Sequence, residues 1–187
     1  MKKSFDQLNK TLVKELQDVF ERIDQGQIND FMQEIIKAKK IILIGVGREG
    51  ISTRGFAMRL MHLGKESHWV WDDTTPGLQP GDLLIATSGS GEIGHIHHVV
   101  NEAKKAGARI AVVTGVPDRK TPQLADVVLW LPASVFHGKD NVVPSIQPMG
   151  NLFEQSLYIL YDLIIMMLME KMDIMGEEME KRHRNVE

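Results

Sequence analysis

The chain of 187 residues contains no cysteine. Disulfides, thiol nucleophiles and cysteine-bound metals are therefore excluded. No uninterrupted apolar run approaches the roughly 18 residues of a membrane span. The N-terminus, Met1-Lys2-Lys3-Ser4-Phe5-Asp6, opens a polar amphipathic pattern with no apolar signal core. A cytoplasmic protein that does not associate with membrane is expected. Positive charge is not in excess either: 22 Lys and Arg against 25 Asp and Glu leave a formal net charge of -3. No broad basic field is available for nucleic acid or an anionic membrane, so any affinity for anions must be local. Internal repeats and low-complexity segments are also missing. With 43% apolar residues the chain can bury one sizeable core, and one domain over residues 1–187 is the natural reading.

Against these absences stand two glycine-rich loops. The run Gly81-Asp82-Leu83-Leu84-Ile85-Ala86-Thr87 breaks into Ser88-Gly89-Ser90-Gly91-Glu92 just before a helical pattern. Glycine lets the backbone approach a ligand closely, while free N–H groups and the positive dipole end of a following helix favour an anion. Ser88 and Ser90 add two donors. Taken alone, such a loop is also an ordinary strand-to-helix turn with a serine cap. A second loop, Gly45-Val46-Gly47-Arg48-Glu49-Gly50, follows the apolar run Ile41–Ile44. Its glycines satisfy the dinucleotide fingerprint G-x-G-x-x-G, and Asp72-Asp73 fall about 20 residues on, where a ribose-binding acid would stand. The loop Thr74-Thr75-Pro76-Gly77 and the serine segment that follow argue against a nucleotide.

Leu8, Leu12, Leu16, Val19 and Ile23 recur at helical spacing and predict a helix over about 4–24, ended by Gly26. Asn29 or Asp30 is the expected cap of a second helix carrying Phe31, Ile35 and Ile36. Strands are expected at 41–44, 68–71, 83–87, 109–114 and 127–131. Helices are expected at about 49–63 and 93–106, with a short turn or helix near Pro122-Gln123-Leu124. Such alternation with nearly continuous apolar strands predicts a parallel sheet covered on both faces, with ligands at the carboxyl ends of the strands. The chain is irregular from Pro132 to about Pro148. Asn151 to Lys171 then forms a helix too broadly apolar for a lone surface helix, which must bury against a core or another subunit. Met166, Met167, Met169 and Met172 fit that packing, or a pliable groove.

Six segments together resemble the 6-phospho-3-hexuloisomerase family, within the sugar isomerase (SIS) domain superfamily. They are Gly45–Gly50, Phe56-Ala57-Met58-Arg59-Leu60-Met61-His62-Leu63-Gly64, Thr74-Thr75-Pro76, Ser88-Gly89-Ser90-Gly91-Glu92, Gly150-Asn151-Leu152-Phe153-Glu154-Gln155 and the terminal Arg182-His183-Arg184-Asn185-Val186-Glu187. The likeness runs from the N-terminal helix to the last residue. It implies an α/β fold, a three-layer αβα sandwich with a five-stranded parallel, flavodoxin-like sheet core over about 41–132. Helical extensions lie at both ends, the C-terminal helices at about 149–187. The implied activity is conversion of a 3-hexulose 6-phosphate to fructose 6-phosphate by tetramers, with no metal or cofactor. The implied substrate-binding residues are Gly47, Arg48, Ser88, Gly89, Ser90 and Gly91, with Glu154 as the base and His183 as its acidic partner.

Two positions depart from the family pattern. Glu49 stands where the family usually has Ser, and Ile93 where it has Thr. Losing a neutral donor costs about 0.5–1.5 kcal/mol, and a carboxylate beside a phosphate dianion adds repulsion. Glu49 has other options: it can turn outward to pair with Arg48 or Arg54, or hydrogen-bond a sugar hydroxyl. A non-catalytic sugar-phosphate-binding module and an isomerase of a different sugar are therefore the rival readings.

Moving a carbonyl between adjacent carbons needs a base at carbon, an acid at oxygen and a group to hold the enediolate. Outside this resemblance, Glu154 reads as a carboxylate complementing a helix dipole, and His183 as a solvated terminal side chain. Arg59 and His62, three apart on a helix, can reach the same cleft or an interface. His95 and His98 share a helix face as a possible two-ligand metal pair, but no third ligand stands at a sensible spacing.

Overall fold

A computed structural model describes residues 3–136 and 141–186. Helices α1 (Phe5–Phe20) and α2 (Gln25–Lys37) precede an alternating core of β1 (Lys40–Ile44), α3 (Gly47–His62), β2 (Glu66–Trp69), β3 (Leu83–Thr87), α4 (Gly94–Lys105), β4 (Arg109–Thr114), the 3-10 turn Pro122–Leu124 and β5 (Val127–Trp130). α5 (Asn151–Met172) and α6 (Gly176–Lys181) follow. The five strands are all parallel in the order β2-β1-β3-β4-β5.

Side-chain alternation divides the core into two layers. Ile41, Leu43, Leu83, Ile85, Ala111 and Val113 face a cluster built with α2, α3 and α5. Their strand neighbours Ile42, Ile44, Leu84, Ala86, Ile110 and Val112 meet Ile96, Val100 and Ala103 of α4 on the other face. A parallel strand pair needs a crossover, and the crossovers are right-handed. The chain steps one way from β1 to β2 and the other way from β3 to β4, so α3 and α4 fall on opposite faces. At the amino edge of the sheet, buried Lys40 reaches Asp82 Oδ2 at 3.1 Å and donates to the Gly77 carbonyl at 2.8 Å.

The helix starts differ from the expected ones. Asp24, not Asn29 or Asp30, caps α2, its Oδ1 accepting the Gln27 N–H at 2.9 Å. α1 ends at Phe20, and Gly26 lies inside the second helix rather than ending the first. β2 lies two residues earlier than expected, at Glu66–Trp69. α5 is long and apolar enough, by length and composition, to cross a membrane, although half of its apolar window is buried inside the fold. Counting only uninterrupted apolar residues missed this, because Glu154 and Asp162 break the run.

Candidate active site

The directions of travel from β1 and β3 diverge, so the loops after them flank a crevice at the carboxyl edge of the sheet. The loop after β1 packs tightly. A Cβ on Gly50 would stand 2.9 Å from the Gly45 carbonyl oxygen, so α3 can start this close to β1 only without a side chain there. That packing accounts for the spacing of the glycine fingerprint. Asp72, the candidate ribose acid, lies instead in a separate cleft with Arg54, His62 and His183.

In the loop after β3, the Ser88 N–H donates to the Val113 carbonyl at 3.0 Å and Gly91 N–H closes back on the Ser88 carbonyl at 3.0 Å. Ser88 is fully buried, and its Oγ has no hydrogen-bond partner among the described residues. Ile93 stands at the N-cap of α4, where its side chain cannot accept a hydrogen bond and packs instead against the core. The first turn of α4 thus begins with no side-chain cap, next to an orphaned buried hydroxyl. Buried polar groups are ordinarily satisfied. Donors of this kind around a helix start suit a phosphate.

Glu49, in the first turn of α3, does not turn outward. Its carboxylate Oε2 accepts the Gly89 N–H at 3.0 Å, occupying one of the loop amides expected to serve the ligand. A Cβ on residue 89 would lie 2.5 Å from Glu49 Oε1, so only glycine admits the carboxylate here. Burial pushes the Glu49 carboxyl up to about 7. The Gly89 hydrogen bond opposes that shift, and the charge of Glu154 adds to it. Arg48 pairs with Glu154 rather than with Glu49, and Arg54 lies over the Trp69 ring.

Glu154 sits in the first turn of α5, 17% exposed, with Arg48 Nε 2.8 Å from its Oε2. Arg48 itself is 57% exposed. Oε2 is nevertheless buried without a formed hydrogen bond among the described residues. The contact is one of charge, with no N–H aimed along it. A cleft of about 340 Å³ joins these groups and is lined by Arg48, Glu49, Phe136, Gly150, Phe153 and Glu154 among others.

Two features fix the start of α5. Gly150 takes φ +102, and a Cβ there would stand 3.0 Å from the Phe136 nitrogen. Upstream, buried Glu15 of α1 accepts from Ser145 Oγ (2.6 Å), Ile146 N–H (2.9 Å) and Gln147 Nε2 (3.1 Å), clamping the strap that leads into the helix. Beneath the cleft, Thr53 Oγ1 donates to the Glu49 carbonyl at 2.8 Å and lies 2.9 Å from Thr87 Oγ1, which lies 2.6 Å from the Tyr161 hydroxyl. The Tyr161 ring stacks on Phe56 at 4.1 Å, and burial holds its phenol protonated. Sequence reasoning missed both networks. A lone Thr or Glu at a helical position carries no spacing signal; only the fold brings such residues together.

The single chain does not bring His183 to Glu154. Its ring stacks on His62 at 5.3 Å, and Arg182 Nη1 donates to the His62 carbonyl at the far end of α3. His62 is 13 positions beyond Glu49, or ~20 Å at 1.5 Å per residue. A role for His183 at such a cleft would require a neighbouring subunit. His62 is buried, and that burial, with the charges of Arg59 and His183, pulls its imidazole below the usual value. Arg59 and His62 therefore belong to the end of α3 away from Glu49. His95 lies against Trp71 at the start of α4, and no group of three metal-ligating side chains occurs among the described residues.

Relatives match this chain over nearly its whole length. A 3-hexulose-6-phosphate isomerase of Bacillus subtilis (strain 168) is 36% identical over 94% of this chain and 95% of its own length. One from Mycobacterium gastri is 37% identical over 96% of this chain and 90% of its own. A solved Methanococcus jannaschii protein, with an inferred function of 3-hexulose-6-phosphate isomerase, superposes with a TM-score of 0.81 at 33% identity, covering 97% of this chain and 98% of that one. The SIS domain model matches residues 34–154, from α2 to the carboxylate facing Arg48. By that match, and by a five-stranded parallel sheet with the crevice it creates, the chain belongs to the SIS domain family.

Proposed function

We propose that the protein interconverts 3-hexulose 6-phosphate and fructose 6-phosphate through a 2,3-enediol. The observation that carries this reading is the meeting, in one cleft, of the Glu154 carboxylate with the Arg48 guanidinium at 2.8 Å. A base and a cation at such a distance can take a proton from carbon and hold the charge that develops on oxygen. Ser88, Ser90, Gly91 and the first amides of α4 are assigned to the phosphate. Glu154 takes the proton from C2 of the 3-ketose, and the electron pair forms the C2=C3 bond. Full-length relatives bearing that activity's name support the assignment.

The protein is read as one SIS unit over 1–187, cytoplasmic, and a homo-oligomer, a tetramer before a dimer. On α5 the side chains of Tyr158, Ile159, Leu163 and Met166 are exposed, Met166 to 65%. Beside them runs a groove of about 440 Å³ between α5 and the α1–α2 turn, lined by Phe20, Ile23, Ile28 and Met167. An apolar surface of this kind favours association.

The test is turnover of 3-hexulose 6-phosphate, read as fructose 6-phosphate formed, alongside melting with each sugar phosphate. Product formation at enzymatic rates is expected. A raised melting temperature without turnover would favour a binding module, the reading that Glu49 on the Gly89 amide supports. Neither effect would point to a different sugar.

A further inference from the structure

The isomerisation moves two protons, not one. One travels between C2 and C3. The other must reach the carbonyl oxygen O3 and leave the hydroxyl oxygen O2. Glu154 can serve the carbons, yet within its own chain the family's histidine position stacks on His62, ~20 Å along α3 from Glu49. A second carboxyl does line the same cleft. Glu49 is held by the Gly89 N–H at 3.0 Å, mostly buried, on the rigid first turn of α3. The ionisable groups facing it are Glu154 and the Tyr161 phenol on α5, while Arg48 of its own helix lines the same cleft but pairs with Glu154; the Gly89 N–H faces it from the loop after β3.

We propose that Glu49 carries the proton between O3 and O2 while Glu154 carries the proton between C2 and C3. This deepens the phosphosugar-isomerase reading and rests on it. In the step from the 3-ketose, the Glu154 carboxylate removes the C2 proton, the C2–H pair becomes the C2=C3 bond, and the O3 carbonyl oxygen takes the Glu49 proton. In the return step, the O2–H proton passes to the Glu49 carboxylate, the C2=O bond forms, and Glu154 delivers its proton to C3. Both carboxyls end as they began. Between the steps the Glu49 carboxylate is stabilised by Gly89 N–H, the donor it already engages. Burial, which raises the Glu49 carboxyl to about 7, keeps an acid form available near neutrality, as the first step requires.

The test follows fructose 6-phosphate in D₂O, comparing deuterium entry at C3 with formation of the 3-ketose. In Glu49→Gln the amide can polarise a carbonyl but cannot pass a proton between oxygens. Isomerisation is expected to fall at least ~100-fold, and the ratio of C3 exchange to isomerisation to rise at least ~10-fold. The wild-type protein should show the same separation with pH, isomerisation falling above about 7 while C3 exchange persists. An unchanged ratio, whether both rates survive or both fall together, overturns the proposal. If Glu49→Gln does not fold, the wild-type pH series decides by itself. Absence of 3-ketose formation by the wild-type protein at every pH would instead overturn the isomerase reading beneath it.

Discussion

Replacing Glu154 by Gln keeps the shape of the side chain while removing its charge and its basicity, and the structure separates the two costs. Arg48 is 57% exposed, and no N–H is directed along its 2.8 Å contact with Glu154. Losing such a pair costs no more than ~1 kcal/mol, a melting shift of about 2–4 °C for a chain of this size. The chemical cost is larger. A positioned base contributes about 10²–10⁴ in rate, or about 3–5 kcal/mol of barrier. kcat should therefore fall at least ~100-fold, with KM little changed, because Ser88, Ser90 and the amides of α4 are untouched. The measurement is steady-state turnover of 3-hexulose 6-phosphate beside a melting curve, on protein of the wild-type oligomeric state. Near-normal kcat in a folded Glu154→Gln protein would refute the reasoning and move the base elsewhere, with His183 of an adjoining subunit next in line.

Ser88→Ala removes a buried hydroxyl that has no hydrogen-bond partner among the described residues. The melting temperature should hold or rise while KM for the phosphosugar increases several-fold; a lower melting temperature with unchanged KM would remove Ser88 from the phosphate site. Because the Glu49 carboxyl is raised in the folded state, its burial costs nothing below about 4.5 and progressively more up to about 7. Glu49→Gln should therefore gain stability relative to wild type between pH 5 and 8, by at most about 3 kcal/mol, as denaturant midpoints at the two pH values would report. Met166→Lys, on the exposed face of α5, should lower the mass found by light scattering without unfolding the chain, and an unaltered assembly would relocate the interface.

The sheet was legible because its signal is local. Ile41–Ile44, Leu83–Thr87 and Arg109–Thr114 are short apolar runs bounded by turn residues, and they appear as strands within one residue of expectation. β2 was displaced because Trp71 looks like core but is exposed beyond the strand end. Both glycine loops lie at the carboxyl edge of the sheet as expected, whereas the direction of Glu49 stayed open between the ligand side and an outward turn. Its orientation depends on Gly89, forty residues away, where the missing Cβ admits a carboxylate. Glu15 likewise reads as an exposed helical acid until the strap at 145–147 folds over it.

Gly150 sets a tolerance on the whole cleft. At φ +102 any side chain is strained, and its first carbon would meet the backbone of Val135 and Phe136 at 3.0–3.4 Å. To accept even a methyl, the first turn of α5 must shift away from that strap and carry the Glu154 carboxylate with it. Catalytic groups need placement within about 0.5 Å. One added carbon atom at a position with no chemistry of its own thus costs turnover more than folding, leaving a protein that still folds, at a somewhat lower melting temperature, and works poorly. A screen that scored only expression or stability would pass it.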